Sequence, residues 1–332
     1  MKSILARAAV RELPAGVRIG IEVGQSAIKL VELARVGGEF VLRRFAVEPL
    51  PAGVVIEGEI QDYARLTERL AALRKRLGFG RVPVVTAIAD GAVQYKVLRV
   101  EKAMESRKVL ALAHREARTL IRDPDLEVSV DIAYLGEAVM GTEMRELLLV
   151  AARSKDVQRF ATCFRRAGWE PEIVDVEGLT SRFGVESPPQ PHYNGDGSAV
   201  TAMFDIGASG ISMSVIRREE VVFHREQAWP SPSCNIFGDE AAHGPLIECV
   251  RSLSQAFYRH TGIEHLDRLQ VTGGLSNDER CVTEIADWMG LPVSRWRVED
   301  QVQVDSSVNP VELSDVASRL FVALSLAKRG FA

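Results

Sequence analysis

The chain has 332 residues, of which 46% are hydrophobic and 26% charged, and its net charge is −4. That length and balance fit a globular protein of two domains rather than one small core. A pI near 6.0 and a mean hydropathy of +0.01 exclude a strongly basic nucleic-acid footprint, and no apolar run approaches a membrane span.

Residues 1–17 read as an N-terminal arm, a frayed amphipathic helix without the apolar core of a signal peptide. The first ordered pattern is a meander of three strands at 18–22, 27–34 and 39–47, with the turn Glu22-Val23-Gly24-Gln25-Ser26 between the first two. Leu66, Leu70, Leu73 and Leu77 then share one face of a helix over 62–77, stopped by Gly78 and Gly80. The continuous apolar run 82–89 predicts a strand buried on both faces.

A strand, a helix, a hairpin and a second helix follow over 94–168, with Ser154 as the cap of that second helix. This run reads as a compact subdomain inserted into a first domain formed by 18–93 and 169–187. The segment 188–198, which holds Pro188, Pro189, Pro191, Asn194, Gly195 and Gly197, is a linker. A second three-strand meander begins at 199, with Asp205-Ile206-Gly207-Ala208-Ser209-Gly210 at its first turn. A helix over 246–260, a strand ending at Thr272-Gly273-Gly274, and a helix over 278–289 complete a second domain at 199–312, and a long helix at 313–332 ends the chain.

The two turns are one device used twice: an apolar strand, an acid, a glycine, small polar residues and a second apolar strand. Glycine relieves the tight backbone, successive N–H groups form an anion nest, and hydroxyls add donors. The candidate phosphate loops are therefore Glu22, Gly24, Gln25 and Ser26, with Lys29 to balance charge, and Asp205, Gly207, Ala208, Ser209 and Gly210. An acid repels phosphate, so Glu22 and Asp205 would act through Mg2+. Gly273, Gly274 and Leu275, between a buried strand and a helix, are candidates for the nucleoside. Taken alone, each is also an ordinary turn.

The order of these motifs resembles the actin-like ATPase superfamily of sugar kinases, heat-shock chaperones, actin and FtsA. Within it the chain looks like the PilM family of type IV pilus assembly proteins, on the opening at 19–33 and the run PLPAGVVIEGEIQD at 49–62. The resemblance implies an α/β, actin-like (ribonuclease H-like) duplicated fold with the insertion as a small 1C-type subdomain. It implies ATP and Mg2+ in the interdomain cleft, and Glu177 as the acid that orients water. The implied partner is the N-terminal cytoplasmic tail of a PilN-like inner-membrane protein, docked beside the first domain (1A) and the insertion. An assembly ATPase or platform protein would be a further contact. The expected location is the cytoplasm, at the inner face of the inner membrane through such partners, without nucleic acid.

Departures temper the catalytic side. Glu22 stands where the family has Asp, Gln25 replaces a small hydroxyl residue, and no Gly-Gly pair follows the second hairpin. The expected function is a nucleotide-binding scaffold of a type IV pilus, or of a related MSHA-type or type II secretion platform, with at most slow ATP hydrolysis. Two alternatives stand beside it: a degenerate member that binds no nucleotide, and a small-metabolite kinase on the same fold.

Overall fold

A computed structural model describes residues 14, 16–121, 127–137, 143–185, 199–207, 210–217, 219–228 and 243–332. The N-terminal arm over 1–13 and the linker at 188–198 lie outside them.

The first sheet grows from the meander β1 (Val17–Val23), β2 (Ala27–Val36) and β3 (Glu39–Pro49). A two-residue hairpin, β4 (Val55–Ile56) and β5 (Glu59–Ile60), leads into helix α1 (Tyr63–Arg76). Asp62 caps α1, its carboxylate accepting the Arg65 N–H at 2.9 Å. Strand β6 (Val82–Ile88) lies parallel to β1. Its apolar run is buried because β10 (Trp169–Val176) flanks it on the other side, also parallel.

Between β6 and β10 the chain makes β7 (Val93–Glu101), α2 (Ser106–Ile121), β8 (Val128–Glu137), β9 (Met144–Arg153) and α3 (Ser154–Arg166). The three strands form a separate sheet in the order β7-β9-β8. Val109, Ala113 and Ala117 of α2 cover it with Leu98, Val100, Leu147 and Leu149 in a core of their own.

Helix α3 packs on the first domain: its Val157, Phe160 and Phe164 share a core with Leu66, Leu70 and Trp169, as do Val93 of β7 and Val150 and Ala152 of β9. Ser154 is the first helical residue, not the cap, and its hydroxyl bonds that of Ser129 at 3.0 Å.

Helix α4 (Glu177–Gly184) closes the first half. The second sheet repeats the plan with β11 (Val200–Ile206), β12 (Gly210–Arg217) and β13 (Glu220–Ala228). Helix α5 (His243–Thr261), strand β14 (Arg268–Thr272), helix α6 (Glu279–Met289) and strand β15 (Val293–Arg295) follow. The orders are β10-β6-β1-β2-β3 in one sheet and β15-β14-β11-β12-β13 in the other. Each has an antiparallel meander on one side of its first strand and two parallel strands on the other. The duplication read from two turns thus extends to whole-sheet topology.

The chain then crosses back. Strand β16 (Gln303–Val304), which the sequence reading placed in the second domain, pairs with β3 of the first. The terminal helix is broken into α7 (Pro310–Val316), a 3-10 turn at Ala317–Leu320, and α8 (Phe321–Arg329). Helix α8 lies on β1 and β2 so closely that Gly20 has no room for a side chain: a Cβ there would sit 2.1 Å from the Ala323 carbonyl oxygen. The buried Arg329 guanidinium pairs with Asp175 at 2.8 Å, holding α8 to the end of β10.

Candidate nucleotide cleft

Both hairpin turns are closed by the same hydrogen bond. Gly24 N–H donates to Ala27 O at 3.0 Å, and Gly207 N–H donates to Gly210 O at 2.9 Å. The register sets Glu22 opposite Lys29 and Asp205 opposite Ser212, so the two acids occupy equivalent places on the two sheets. The turns meet at one cleft of about 130 Å3. Glu22, Gly24, Gln25, Ser26, Lys29, Asp205, Gly207, Gly210 and Glu177, all candidates from the sequence, line it together. Ala208 and Ser209 lie outside the described residues.

The nucleoside candidates stand apart. Gly273, at φ 89°, is wedged beneath the second hairpin, where a Cβ would meet Asp205 Oδ1 at 2.4 Å. Its N–H donates to Ser318 O at 3.0 Å. Leu275 is buried in the second core, while Gly274 has open space where a Cβ would point. Gly273 backs the Asp205 turn and Leu275 N–H donates to Ile206 O at 3.3 Å, and none of the three residues lines the cleft.

Charge is unevenly distributed in the cleft. Glu22, Asp90, Glu177, Asp205 and Glu226 supply five carboxyls against Lys29 and His224. Lys29 Nζ bonds Glu22 Oε1, and the second Glu22 oxygen is buried with no hydrogen-bond partner. Burial alone would pull the Lys29 ammonium down, but Glu22, Asp205 and Glu177 hold it above its ordinary value. Burial pushes the Asp205 carboxyl up to about 6, and Glu22 and Glu226 reinforce this against the pull of Lys29. Glu177, the first residue of α4, is pushed well above the usual carboxylate range by burial, then by Glu22 and Asp90.

These features fit a hard divalent cation. Mg2+ takes oxygen ligands, usually one or two carboxylates plus phosphate and water. The unpartnered Glu22 oxygen and the Asp205 carboxyl supply two such groups on the two hairpins. Bound there, Mg2+ would supply the positive charge that lets polyphosphate enter an acid-rich cleft. At Gly24 a Cβ would point between Glu22 Oε1 and Lys29 Nζ, at 3.2 and 3.5 Å, so the glycine keeps that approach open.

The sequence reading missed Asp90, His224 and Ser214. Asp90 follows β6 and His224 lies on β13 of the other domain, and no local pattern ties them. The one available signal is that Asp90-Gly91 ends a buried strand, much as the acids of both hairpins do. The Asp90 carboxylate accepts Gly178 N–H at 2.9 Å, accepts the Tyr95 hydroxyl, and faces His224 Nε2 at 3.2 Å. His224 Nδ1 and Ser214 Oγ share a hydrogen bond of 2.8 Å.

The duplicated sheets and the cleft between their hairpins define the class: an α/β protein with the actin-like ATPase fold. The structure of the PilM-PilN type IV pilus biogenesis complex shares it at a TM-score of 0.77 and 24% identity, covering 95% of this chain and 98% of that one. Ethanolamine utilization protein EutJ from Carboxydothermus hydrogenoformans matches at 0.53 and 13%, over 98% and 94%. MreB 5 of Spiroplasma citri, bound to AMPPNP, matches at 0.50 and 9%, over 94% and 95%. The family model for type IV pilus assembly protein PilM matches residues 20–235. The chain belongs to that family.

A second cavity, of about 420 Å3, separates the first domain from the insertion. Val55, Ile60 and Tyr63 form one wall, and Leu120, Ile121 and Arg153 another. No helix among the described residues is long and apolar enough to cross a membrane.

Proposed function

We propose that this protein is a nucleotide-binding scaffold of a type IV pilus assembly platform in the cytoplasm, at the inner face of the inner membrane. ATP with Mg2+ occupies the interdomain cleft, and the N-terminal cytoplasmic tail of a PilN-like membrane protein docks in the groove between the first domain and the insertion. One observation carries the nucleotide reading: two equivalent hairpins bring Glu22, Lys29 and Asp205 to one cleft from two domains. The groove's volume lies within the range of small-ligand sites, and similarity to the solved PilM-PilN complex supports a PilN-like partner.

Glu22 and Asp205 hold the metal, Lys29 balances phosphate, and the turn amides at Gly24 and Gly207 cradle it. Ala208 and Ser209 belong to the same proposed loop. Glu177, at the start of α4, lines the cleft and orients water, and turnover in this reading is at most slow. ATP therefore serves as a conformational ligand more than as fuel.

The test is a thermal-shift titration of the full chain with ATP and Mg2+. A rise in Tm that Asp205→Ala abolishes supports the reading. No rise at millimolar ATP replaces it with the degenerate scaffold, which the Lys29–Glu22 pair favours because it satisfies the lysine without phosphate. For the groove, the probe is a synthetic peptide of the tail of the PilN homologue. Ile121→Asp should weaken its binding at least ~10-fold, a loss of about 1.4 kcal/mol, and unchanged affinity refutes docking there.

A further inference from the structure

The cleft and the groove share a wall. Residues 87–94 run from the end of β6 into β7, and Ala89, Gly91, Ala92 and Gln94 line the groove while Asp90, in their midst, lines the cleft. This wall is pinned on both sides. A Cβ at Gly58, in the β4–β5 turn, would lie 2.9 Å from Ala89 Cβ. Asp90 itself meets three units at once: it accepts hydrogen bonds from Tyr95 of the insertion and from Gly178 at the start of α4, and lies at ion-pair distance, 3.2 Å, from the buried His224 Nε2 of the second domain, which has no hydrogen-bond partner. Gly178 is shaped for this contact, since a Cβ there would lie 2.3 Å from the imidazole ring. A second cross-domain ion pair at α4 is Arg182–Glu220 at 2.9 Å.

From this arrangement we propose that Asp90 and His224 form a clasp across the cleft, through which cleft opening is transmitted to the tail-binding groove. The proposal rests on the nucleotide and groove assignments above and adds their coupling. Its physical basis is size and connection. At about 130 Å3 the cleft is smaller than the ~300 Å3 lower range of small-ligand sites. A nucleotide seated there therefore displaces the elements that line it, among them β13 with His224. His224 rides on β13 and Asp90 on the groove wall, so the wall must either follow His224 or lose it. Either outcome changes a groove whose lining includes that wall, and the coupling is reciprocal: a bound tail that fixes residues 87–94 biases the clasp in return. Asp90 and His224 are positioning residues in this account. Burial alone would lower the basicity of His224, but Asp90 reverses that and holds its pKa above the ordinary value.

The experiment is hydrogen–deuterium exchange on the full chain, wild type against His224→Gln, each with and without Mg2+ and AMPPNP. Without ligand, His224→Gln should speed exchange across 87–101 and 177–181 by at least ~5-fold, the low end of measured couplings, while β14 and α6 in the mutated domain stay unchanged. A merely structural loss would instead speed exchange first around the mutated residue, in β12 and β13. With Mg2+ and AMPPNP, exchange at 87–94 should shift in the wild type and not in the variant. Unchanged exchange at 87–101 in ligand-free His224→Gln overturns the clasp whether or not nucleotide binds. If that segment responds but AMPPNP shifts neither exchange nor Tm in the wild type, the clasp stands and the nucleotide reading falls.

Discussion

Replacing Asp205 by Asn should make the ligand-free protein more stable while removing its response to nucleotide. Burial and the neighbouring Glu22 and Glu226 carboxylates push the Asp205 carboxyl from 3.8 up to about 6. That difference is worth about 3 kcal/mol, at about 1.4 kcal/mol per pH unit. Asp205 is only partly buried, and solvent in the cleft mouth screens the penalty to about 1–2 kcal/mol. Asn keeps the shape and drops the charge. A group whose folded-state pKa is raised favours folding fully below its unfolded value, and that contribution is lost as pH rises through the folded value. The advantage of Asp205→Asn is therefore absent below about pH 4, grows between about 4 and 6, and is complete at pH 8. At 2–4 °C per kcal/mol, Tm should rise by roughly 2–8 °C at pH 8. Differential scanning calorimetry at pH 4 and pH 8, in EDTA for the ligand-free protein and without EDTA when ATP and Mg2+ are added, reads all of this. A ligand at 100 times its Kd stabilises the wild type by about 2.7 kcal/mol, and that gain should vanish in the variant. Loss of stability at pH 8, or a retained nucleotide response, would refute the account of Asp205 as a charge held in readiness for a cation.

Three further outcomes follow from the same structure. Gly20→Ala should destabilise the protein by about 3 kcal/mol and lower Tm by roughly 6–12 °C, because the new Cβ meets the α8 backbone 2.1 Å away and backbone cannot rotate aside; an unchanged melting curve would show that α8 is not seated on β1. The stability lost in Asp90→Asn should depend on pH at both ends. Burial opposes both charges, but their pairing holds Asp90 below 3.8 and His224 above 6.5. The Asp90 contribution is lost as pH falls through its lowered pKa, and the His224 contribution as pH rises through its raised one. The gap to wild type is thus widest between about pH 4 and 6.5, with Glu226 and Asp205, which also face His224, common to both proteins; urea unfolding across pH 3–9 reads it, and a flat gap refutes the pair. Removing Mg2+ with excess EDTA should erase the thermal shift by ATP, since five carboxyls otherwise repel the polyphosphate; an equal shift in EDTA would mean that Lys29 and the turn amides suffice.

The site was partly legible in the chain. Both hairpins are local objects, and a turn with an acid, a glycine and alternating apolar flanks reports its own geometry, so Glu22, Lys29 and Asp205 could be named from their neighbours. Glu177 was reached only through family resemblance, and the structure places it in the cleft. Gly273–Leu275 looked like nucleoside-binding residues because glycine pairs mark close approach. The approach turned out to be that of Asp205 and Ile206 backbone against Gly273.

What the linear pattern carried was periodicity and repetition: the meanders, the buried β6, the leucine face of α1, and the duplicated acidic turn that identifies the fold. These depend on residues within a few positions of each other. The tertiary structure alone decided which surfaces met. It sent α3 into the first core, returned β16 to the first sheet, and set α8 against Gly20. It also brought Asp90 within 3.2 Å of His224, 134 positions further along the chain. Such contacts follow from where two rigid sheets come to rest against each other. An acid at a strand end and a histidine on a distant edge strand carry no local mark of that, so the doubled hairpin announced the cleft while the clasp across it stayed hidden until the domains were in place.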